Sequence, residues 1–85
     1  MAGAQRIIGA CIRHFREKQQ RTQESLAAQA GISYQYLSGI EKGKENFSWQ
    51  VLEQLSAALR VPVRILVSTA YDNDAGHLPP VVEPR

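Results

Sequence analysis

Residues 22–43 read TQESLAAQAGISYQYLSGIEKG, and this stretch carries the pattern of two short helices joined by a tight turn. Its apolar positions recur at helical spacing on both sides of the turn. They are Leu26, Ala30, Ile32, Leu37 and Ile40, with the small Ala27 where two helices must approach closely. Gly31 stands at the bend, where glycine takes the positive φ of a helix end at the least steric cost. Ser33 follows as the cap of the second helix, so the stretch predicts a helix-turn-helix unit.

The flanks of this unit extend the pattern. Residues 22–23 supply a Thr-Gln opening, residues 41–43 supply a Glu-Lys-Gly ending, and an upstream helix carries Arg13 and Arg16. With these flanks the chain resembles the Xre/Cro/lambda-repressor-like helix-turn-helix family, and the resemblance continues to about Leu66. It implies a compact all-α fold of five helices. It also implies a DNA-binding regulator of transcription that is cytoplasmic, nucleoid-associated and of bacterial or phage origin.

Three further helices complete the expected fold. The spacing of apolar residues predicts a first helix over about 5–19, ahead of the helix-turn-helix unit. Ser48 caps a fourth helix after a polar loop, and Pro62 cannot continue that helix. A short fifth helix over 63–69 follows, so the unit forms the second and third of five helices.

The chain is expected to divide into a helix-turn-helix domain over 1–71 and a tail over 72–85. The tail contains three of the four prolines and no helical period, which predicts an irregular or disordered segment. Its apolar residues leave open a second possibility, that the tail docks on its own domain or on a partner subunit. These residues are Leu78, Val81 and Val82.

The basic charge lies in the part that folds. Up to Tyr71 there are nine Lys and Arg against five Asp and Glu, a charge of +4, whereas residues 72–85 carry one Arg against three acids, −2. This balance favours a polyanionic partner, although such a charge is often only a solvated surface. The lone Cys11 cannot form a disulfide within the chain, so we expect a small buried residue in a reducing compartment.

The exposed side of the third helix is expected to read base edges in the major groove. The candidates are Ser33, Tyr34, Gln35, Tyr36, Ser38 and Gly39, because Leu37 and Ile40 must turn inward. Gln35 can donate to and accept from adenine at once, and either tyrosine can contact a thymine methyl. The alternative for Tyr36 is packing against the second helix. Gly39 carries no side chain and indicates the close approach of DNA or of a neighbouring helix.

Phosphate contacts are expected on both sides of this reading helix. Thr22 is expected to cap the second helix. Thr22 and Gln23 lie beside the free amides there, and Gln23 resembles the phosphate clamp of the family. Lys42, Lys44 and Asn46 follow the reading helix and are placed to grip the backbone on its other side. Weaker candidates are Arg13, Lys18 and Arg21. For each cation the alternative is an ordinary solvated charge.

Four residues are expected to serve the fold. The resemblance implies that Arg16 and Glu41 form an ion pair between the first helix and the end of the third. Family members often have a proline before the cap of the fourth helix and an aliphatic residue after it, where this chain has Phe47 and Trp49. We expect both aromatic residues in the core. An exposed Trp49 would instead favour a subunit interface.

The sequence therefore predicts a homodimer that reads a palindromic operator in double-stranded DNA. The dimer interface is expected on the fifth helix at Val63, Ile65 and Leu66. The alternative is a protein-binding helical module, antitoxin-like or regulatory, that uses the helix-turn-helix as a scaffold. An enzyme is not expected, because His14 and His77 lack metal-ligand spacing and no nucleophile motif is present. No cofactor, metal, small-molecule ligand or membrane partner is expected.

Overall fold

Five helices make up most of the chain in the computed structural model, which describes the backbone of residues 2–74 and the side chains of residues 3–68. They are α1 (Ala2–Lys18), α2 (Gln23–Ala30), α3 (Tyr34–Glu41), α4 (Trp49–Leu59) and α5 (Val63–Asp74). No strand occurs in this range. The predicted all-α fold of five helices is confirmed.

The three predicted serine and threonine caps are confirmed. Thr22, Ser33 and Ser48 each accept a hydrogen bond from the amide three residues later, at 3.0, 3.0 and 3.1 Å. Each such bond satisfies an amide that has no partner within its helix, and it stabilises the helix start by about 1 kcal/mol. Gly31 has a φ of 77° at the end of α2, as the sequence predicts. The bend between α2 and α3 is thus set by local chemistry.

The loop after α1 holds the end of α4. The Gln19 amide donates to the Leu59 carbonyl at 2.8 Å, and the Arg21 guanidinium donates to the Ala58 carbonyl at 2.6 Å. The last carbonyls of a helix lack partners within the helix, so these two bonds complete α4. Arg21 was a weaker candidate for phosphate binding; its guanidinium serves the fold here, and the phosphate contact stays a prediction.

Helix α5 is longer than the sequence predicts. It continues to Asp74, whereas a helix over 63–69 and an irregular tail from Asp72 were expected. The first glycine after Pro62 is Gly76, so no backbone breaker stops the helix earlier. The rest of the predicted tail, with its apolar residues, lies outside the described residues. The domain boundary at residue 71 stays a prediction.

The core is a single cluster to which all five helices contribute. Its fully buried large side chains are Ile12, Leu26, Leu37, Ile40, Leu55, Leu59 and Leu66. Cys11 is also buried, as expected. Helix α1 packs against both α3 and α5, and α2 packs against α4. This packing fixes α3 on the domain through its apolar side and leaves its other side to solvent.

Gly9 on α1 permits the close contact between α1 and α3. A Cβ atom at this position would lie 2.0 Å from the backbone oxygen of Ile40. No side chain can occupy that space without separating the two helices. The orientation of α3 therefore depends on a glycine that the helical pattern does not identify.

Two further properties hold for the described part of the chain. In residues 2–74 no helix combines the length and the apolar content that a bilayer crossing requires. Among the side chains of residues 3–68, no group of three or more His, Cys, Asp or Glu is placed to hold a metal ion.

Candidate nucleic-acid interface

The first turn of α3 presents its polar side chains to solvent. Ser33, Tyr34 and Gln35 are exposed, and Tyr34 retains 43% of its accessible surface. Leu37 and Ile40 are both fully buried, as the helical spacing requires. An exposed tyrosine and an exposed glutamine side by side thus form an amphipathic contact surface at the start of this helix.

Tyr36 is attached to the loop that follows α3. Its side chain is half-buried, and its hydroxyl donates to the Asn46 carbonyl at 2.9 Å. Tyr36 therefore packs against the domain, as the alternative expectation had it. Its hydrogen-bond partner, however, lies in the loop after α3 and not on α2. The bond fixes the loop relative to the reading helix.

The close approach expected at Gly39 comes from a side chain of the same loop. A Cβ at Gly39 would lie 2.4 Å from Cγ of Glu45. The amides of Lys44 and Glu45 also donate to the Gly39 carbonyl, at 2.8 and 3.2 Å. Of the two alternatives, a neighbouring helix is not what approaches Gly39, because the chain folds back on α3 immediately after it. Gly39 and the preceding Ser38 are half-buried.

A buried carboxylate joins the first three helices. Glu41 retains 5% of its surface, and its Oε2 and Oε1 atoms accept from Arg16 Nε and Nη2 at 2.8 and 3.0 Å. Arg16 also donates to the Arg21 carbonyl at 2.8 Å. The pKa of Arg16 is raised above its ordinary value, chiefly by the hydrogen bond to Glu41. The expected ion pair is thus present, and it links α1 to the end of α3.

Gln23 takes part in the same cluster. Its Nε2 donates to Oε1 of Glu41 at 2.9 Å, so the side chain is held at the start of α2. Within the described residues, the backbone amides of Gln23 and Glu24 make no hydrogen bond, whereas those of Ser25 and Leu26 bond to Thr22. The start of α2 therefore offers two backbone donors and one remaining amide hydrogen of Gln23. That set of donors suits a phosphate.

The predicted cationic residues differ in what they contact. Lys42, Lys44 and Asn46 are all exposed in the segment that follows α3. Arg13 instead pairs with Glu17 one turn along α1, with 3.0 Å between Nε and Oε2. The hydrogen bond from Arg13 lowers the pKa of Glu17 below its ordinary value. Arg13 is thus partly neutralised, and the segment after α3 carries the more available charge.

Two hydrogen bonds from a side chain of α1 to the backbone, which the sequence did not predict, hold this segment against α1. The Gln5 side chain donates to the Phe47 carbonyl at 3.0 Å and accepts from the Phe47 amide at 3.0 Å. Phe47 is buried, as expected. No pattern in the sequence identifies Gln5, because its partner is 42 residues away and lies in a loop.

Trp49 is exposed, which contradicts its expected place in the core. It retains 60% of its surface, and its indole donates to the Glu53 carboxylate at 2.9 Å. As the first residue of α4 it precedes the turn that packs inward, so its ring lies along the outside of the helix. Beside it is an apolar groove of about 230 Å³ whose lining includes Ile8, Leu52 and Val67.

The three residues expected at a dimer interface lie in different environments. Leu66 is fully buried in the core of its own domain, so its assignment to the interface was wrong. Helix α5 must turn one side toward α1, and Leu66 lies on that side. Val63 is half-buried against the core, whereas Ile65 retains 40% of its surface. Of these three residues, only Ile65 presents a large apolar surface to solvent.

Comparisons with known proteins agree on one family. Residues 12–66 match the family described as Helix-turn-helix. The HTH-type transcriptional regulator SinR of Bacillus subtilis is 35% identical over 69 residues, which are 80% of this chain and 62% of that regulator. The chain therefore spans about three fifths of the length of SinR.

Two solved structures have the same fold. The clp gene regulator ClgR from C. glutamicum superposes with a TM-score of 0.79 at 29% identity, covering 85% of this chain and 94% of that chain. The restriction-modification controller protein C.AhdI from Aeromonas hydrophila superposes with a TM-score of 0.70 at 31% identity, covering 72% and 92% of the two chains.

Proposed function

The chain belongs to the Xre/Cro-like helix-turn-helix family, and on that premise we propose that it is a transcriptional regulator that binds double-stranded DNA in a sequence-specific manner as a homodimer. One observation carries the proposal. Tyr34 and Gln35 are exposed on the first turn of α3, while Leu37 and Ile40 anchor the opposite side of the helix in the core. A helix held in this way enters the major groove with its first turn at the base edges.

Gln35 is the proposed main determinant of sequence. Its amide matches the N7 acceptor and N6 donor of adenine, a contact that discriminates by about 1 to 3 kcal/mol. Tyr34 offers a ring for a thymine methyl and a hydroxyl for a base or a phosphate. Ser33 and Ser38 are proposed as weaker base contacts. Tyr36 and Gly39 contribute by shaping the loop that follows the helix, because each contacts that loop.

Phosphate binding is proposed on both sides of α3. The start of α2 supplies the free amides and the held side chain of Gln23, next to the exposed Thr22. The segment after α3 supplies Lys42, Lys44 and Asn46. These contacts set the register of the helix in the groove and supply affinity that falls with salt.

Dimerisation is proposed because one domain of this size contacts too few base pairs for strong discrimination. Two copies would place their reading helices about 34 Å apart, one turn of DNA, on a palindromic operator. We assign the interface to α5 at Ile65, with the half-buried Val63 at the start of the same helix as a weaker contributor. The exposed Trp49, at the start of α4, marks the alternative interface. Sedimentation of Ile65→Lys and Trp49→Lys at micromolar concentration tests the assignment, because only the first substitution should yield a monomer.

The central test is a selection of duplexes from a random library, performed with the wild type and with Gln35→Ala. The wild type should select a palindrome, and the variant should lose preference at one base pair of each half-site while retaining the rest. Gln29→Ala is the matched control and should select the wild-type sequence. Gln29 is exposed on α2, where it lines a shallow pocket together with residues of α4. Identical selections by the wild type and Gln35→Ala would contradict the proposed role of α3.

The protein-binding alternative predicts a different outcome of the same experiment. A scaffold that acts through a protein partner would enrich no sequence, and Tyr34→Ala and Gln35→Ala would leave its weak binding to any duplex unchanged. That result would overturn the proposed DNA-reading function.

A further inference from the structure

Arg6 on α1 lies across the turn that ends the reading helix. The turn contains Gly43, whose φ is 77°. A Cβ atom at Gly43 would lie 2.6 Å from Cγ of Arg6, 3.1 Å from its Cδ and 3.3 Å from its Cβ. The hydrocarbon stem of Arg6 therefore occupies the space that a side chain at position 43 would fill. An arginine stem packed in this way directs its guanidinium away from the apolar surface and into solvent.

Arg6 has no acidic partner among the described residues. The two other arginines of α1 pair with carboxylates, Arg13 with Glu17 and Arg16 with Glu41. Arg6 is exposed, and within residues 3–68 the structure gives it neither an ion pair nor a hydrogen bond. No acidic residue precedes Glu17 on α1, so no carboxylate lies one turn before or after Arg6. Its charge is thus not compensated by its own helix.

Two further cations flank the glycine that Arg6 covers. Lys42 and Lys44 are exposed on either side of Gly43, so this glycine lies between two cations of the segment after α3 and against the stem of a third on α1. One exposed acid, Glu45, lies beside these three cations and leaves their charge net positive. Glu41 is buried and paired with Arg16, and Glu45 lies against Gly39. The cluster formed by Arg6, Lys42 and Lys44 therefore carries a net positive charge beside the reading helix.

We propose that Arg6 is a phosphate-binding residue, the third cation of a clamp that holds the DNA backbone at the end of α3. The proposal rests on the DNA-binding function proposed above and adds a contact from α1. Arg6 supplies a fork of N–H donors that suits a phosphate, and Gly43 permits its position. Both lysines come from one turn, whereas Arg6 comes from a helix and fixes the clamp relative to the fold.

The test measures affinity for the selected duplex and for a scrambled duplex between 50 and 200 mM salt. If Arg6 neutralises one phosphate, Arg6→Gln should reduce the slope of log affinity against log salt by about 0.9. The ratio of wild-type to variant affinity should then fall about 3.5-fold over this salt range. The affinities for both duplexes should decrease by the same factor, because a phosphate contact carries no sequence information.

Arg60→Gln is the matched control. Arg60 is another exposed arginine without a described acidic partner, and it lies in the turn after α4 beside Ala57 and Ala58. This variant should keep the wild-type slope. Gly43→Ala should reduce the slope at least as much as Arg6→Gln, since its Cβ displaces the Arg6 stem and its φ of 77° strains the turn that carries Lys42 and Lys44. The variant with both substitutions should bind no more weakly than Gly43→Ala alone, and thermal unfolding of each variant verifies that it is folded.

The outcomes separate this proposal from the one on which it rests. If Arg6→Gln retains the slope and affinity of the wild type while Lys42→Gln and Lys44→Gln reduce both, the role of Arg6 is refuted and DNA binding stands. If the wild type itself shows no salt-dependent binding to any duplex, both proposals fail.

Discussion

The ion pair between Arg16 and Glu41 predicts a large and specific loss of stability on removing one charge. Glu41→Gln keeps the shape of the side chain but places an amide where the carboxylate accepts from Arg16 and Gln23. The Glu41 side chain is 1% exposed and that of Arg16 is 11% exposed, so water cannot replace the missing partner. Leaving one charge of a buried pair without its partner costs about 3 to 5 kcal/mol.

That cost is a large share of the total stability. A chain of 85 residues has a free energy of unfolding of roughly 4 to 13 kcal/mol at the usual 0.05 to 0.15 kcal/mol per residue. A loss of 3 to 5 kcal/mol corresponds to a fall in Tm on the order of 12 to 40 °C for a domain of this size. Urea unfolding followed by circular dichroism at 25 °C measures the free energy directly, and a thermal scan measures Tm.

A matched control lies on α1, the helix that carries Arg16. Glu17 pairs with Arg13 at 3.0 Å and lies 3.9 Å from Nη2 of Arg16, on an exposed face of α1 where solvent screens both contacts. Glu17→Gln should therefore unfold at the same urea concentration as the wild type within error. If Glu41→Gln were destabilised by less than about 1 kcal/mol, the claim that this cluster organises the first three helices would be refuted. Replacing Arg16 and Glu41 together by Met and Leu should restore most of the stability, because no charge is then left unpaired.

Four further predictions concern packing and exposure. Gly9→Ala should destabilise the fold by at least about 2 kcal/mol, because its Cβ meets a backbone oxygen of α3 that cannot move independently; urea unfolding measures the loss, and an unchanged midpoint would contradict the close packing. Arg60→Gly should stabilise by about 0.5 to 1 kcal/mol, since Arg60 holds a φ of 61° that glycine adopts without strain; a lower thermal midpoint would argue against this. Leu66→Ala should lower the free energy of unfolding by about 2 to 5 kcal/mol. Ile65→Ala should leave the stability of the monomer nearly unchanged and weaken only self-association; if Leu66→Ala weakened self-association instead and Ile65→Ala destabilised the monomer, α5 would be excluded as the interface. Trp49 is the sole tryptophan of the chain and is 60% exposed, so acrylamide should quench its fluorescence in the native state almost as well as in urea, and a strongly protected native signal would place it in an interface or in the core.

The sequence predicts those features of the fold that depend on neighbouring residues. The caps at Thr22, Ser33 and Ser48 and the bend at Gly31 follow from hydrogen bonds and backbone freedom within a few residues. The exposed first turn of α3 follows from the spacing of its apolar residues. The ion pair of Glu41 is different, because only the resemblance to a family indicated it.

The features that the sequence did not predict depend on contacts between distant segments. Gly9 and Gln5 matter because α3 and the loop before α4 lie against α1, and neither partner is visible from the local pattern. Leu66 and Trp49 were misplaced for a related reason. In a short helix, and at the first position of a helix, packing rather than periodicity decides whether an apolar residue faces the core. The partners of the polar side chains that surround the site likewise emerge only from the assembled fold.

The most direct test of DNA reading by α3 is the ratio of the wild-type affinities for the selected duplex and for a scrambled one at physiological salt. We expect a palindromic selected site and a ratio of roughly 10³ or more, as is typical of specific DNA-binding proteins. A ratio near one, with equally salt-sensitive binding to both duplexes, would contradict the claim that α3 reads DNA sequence.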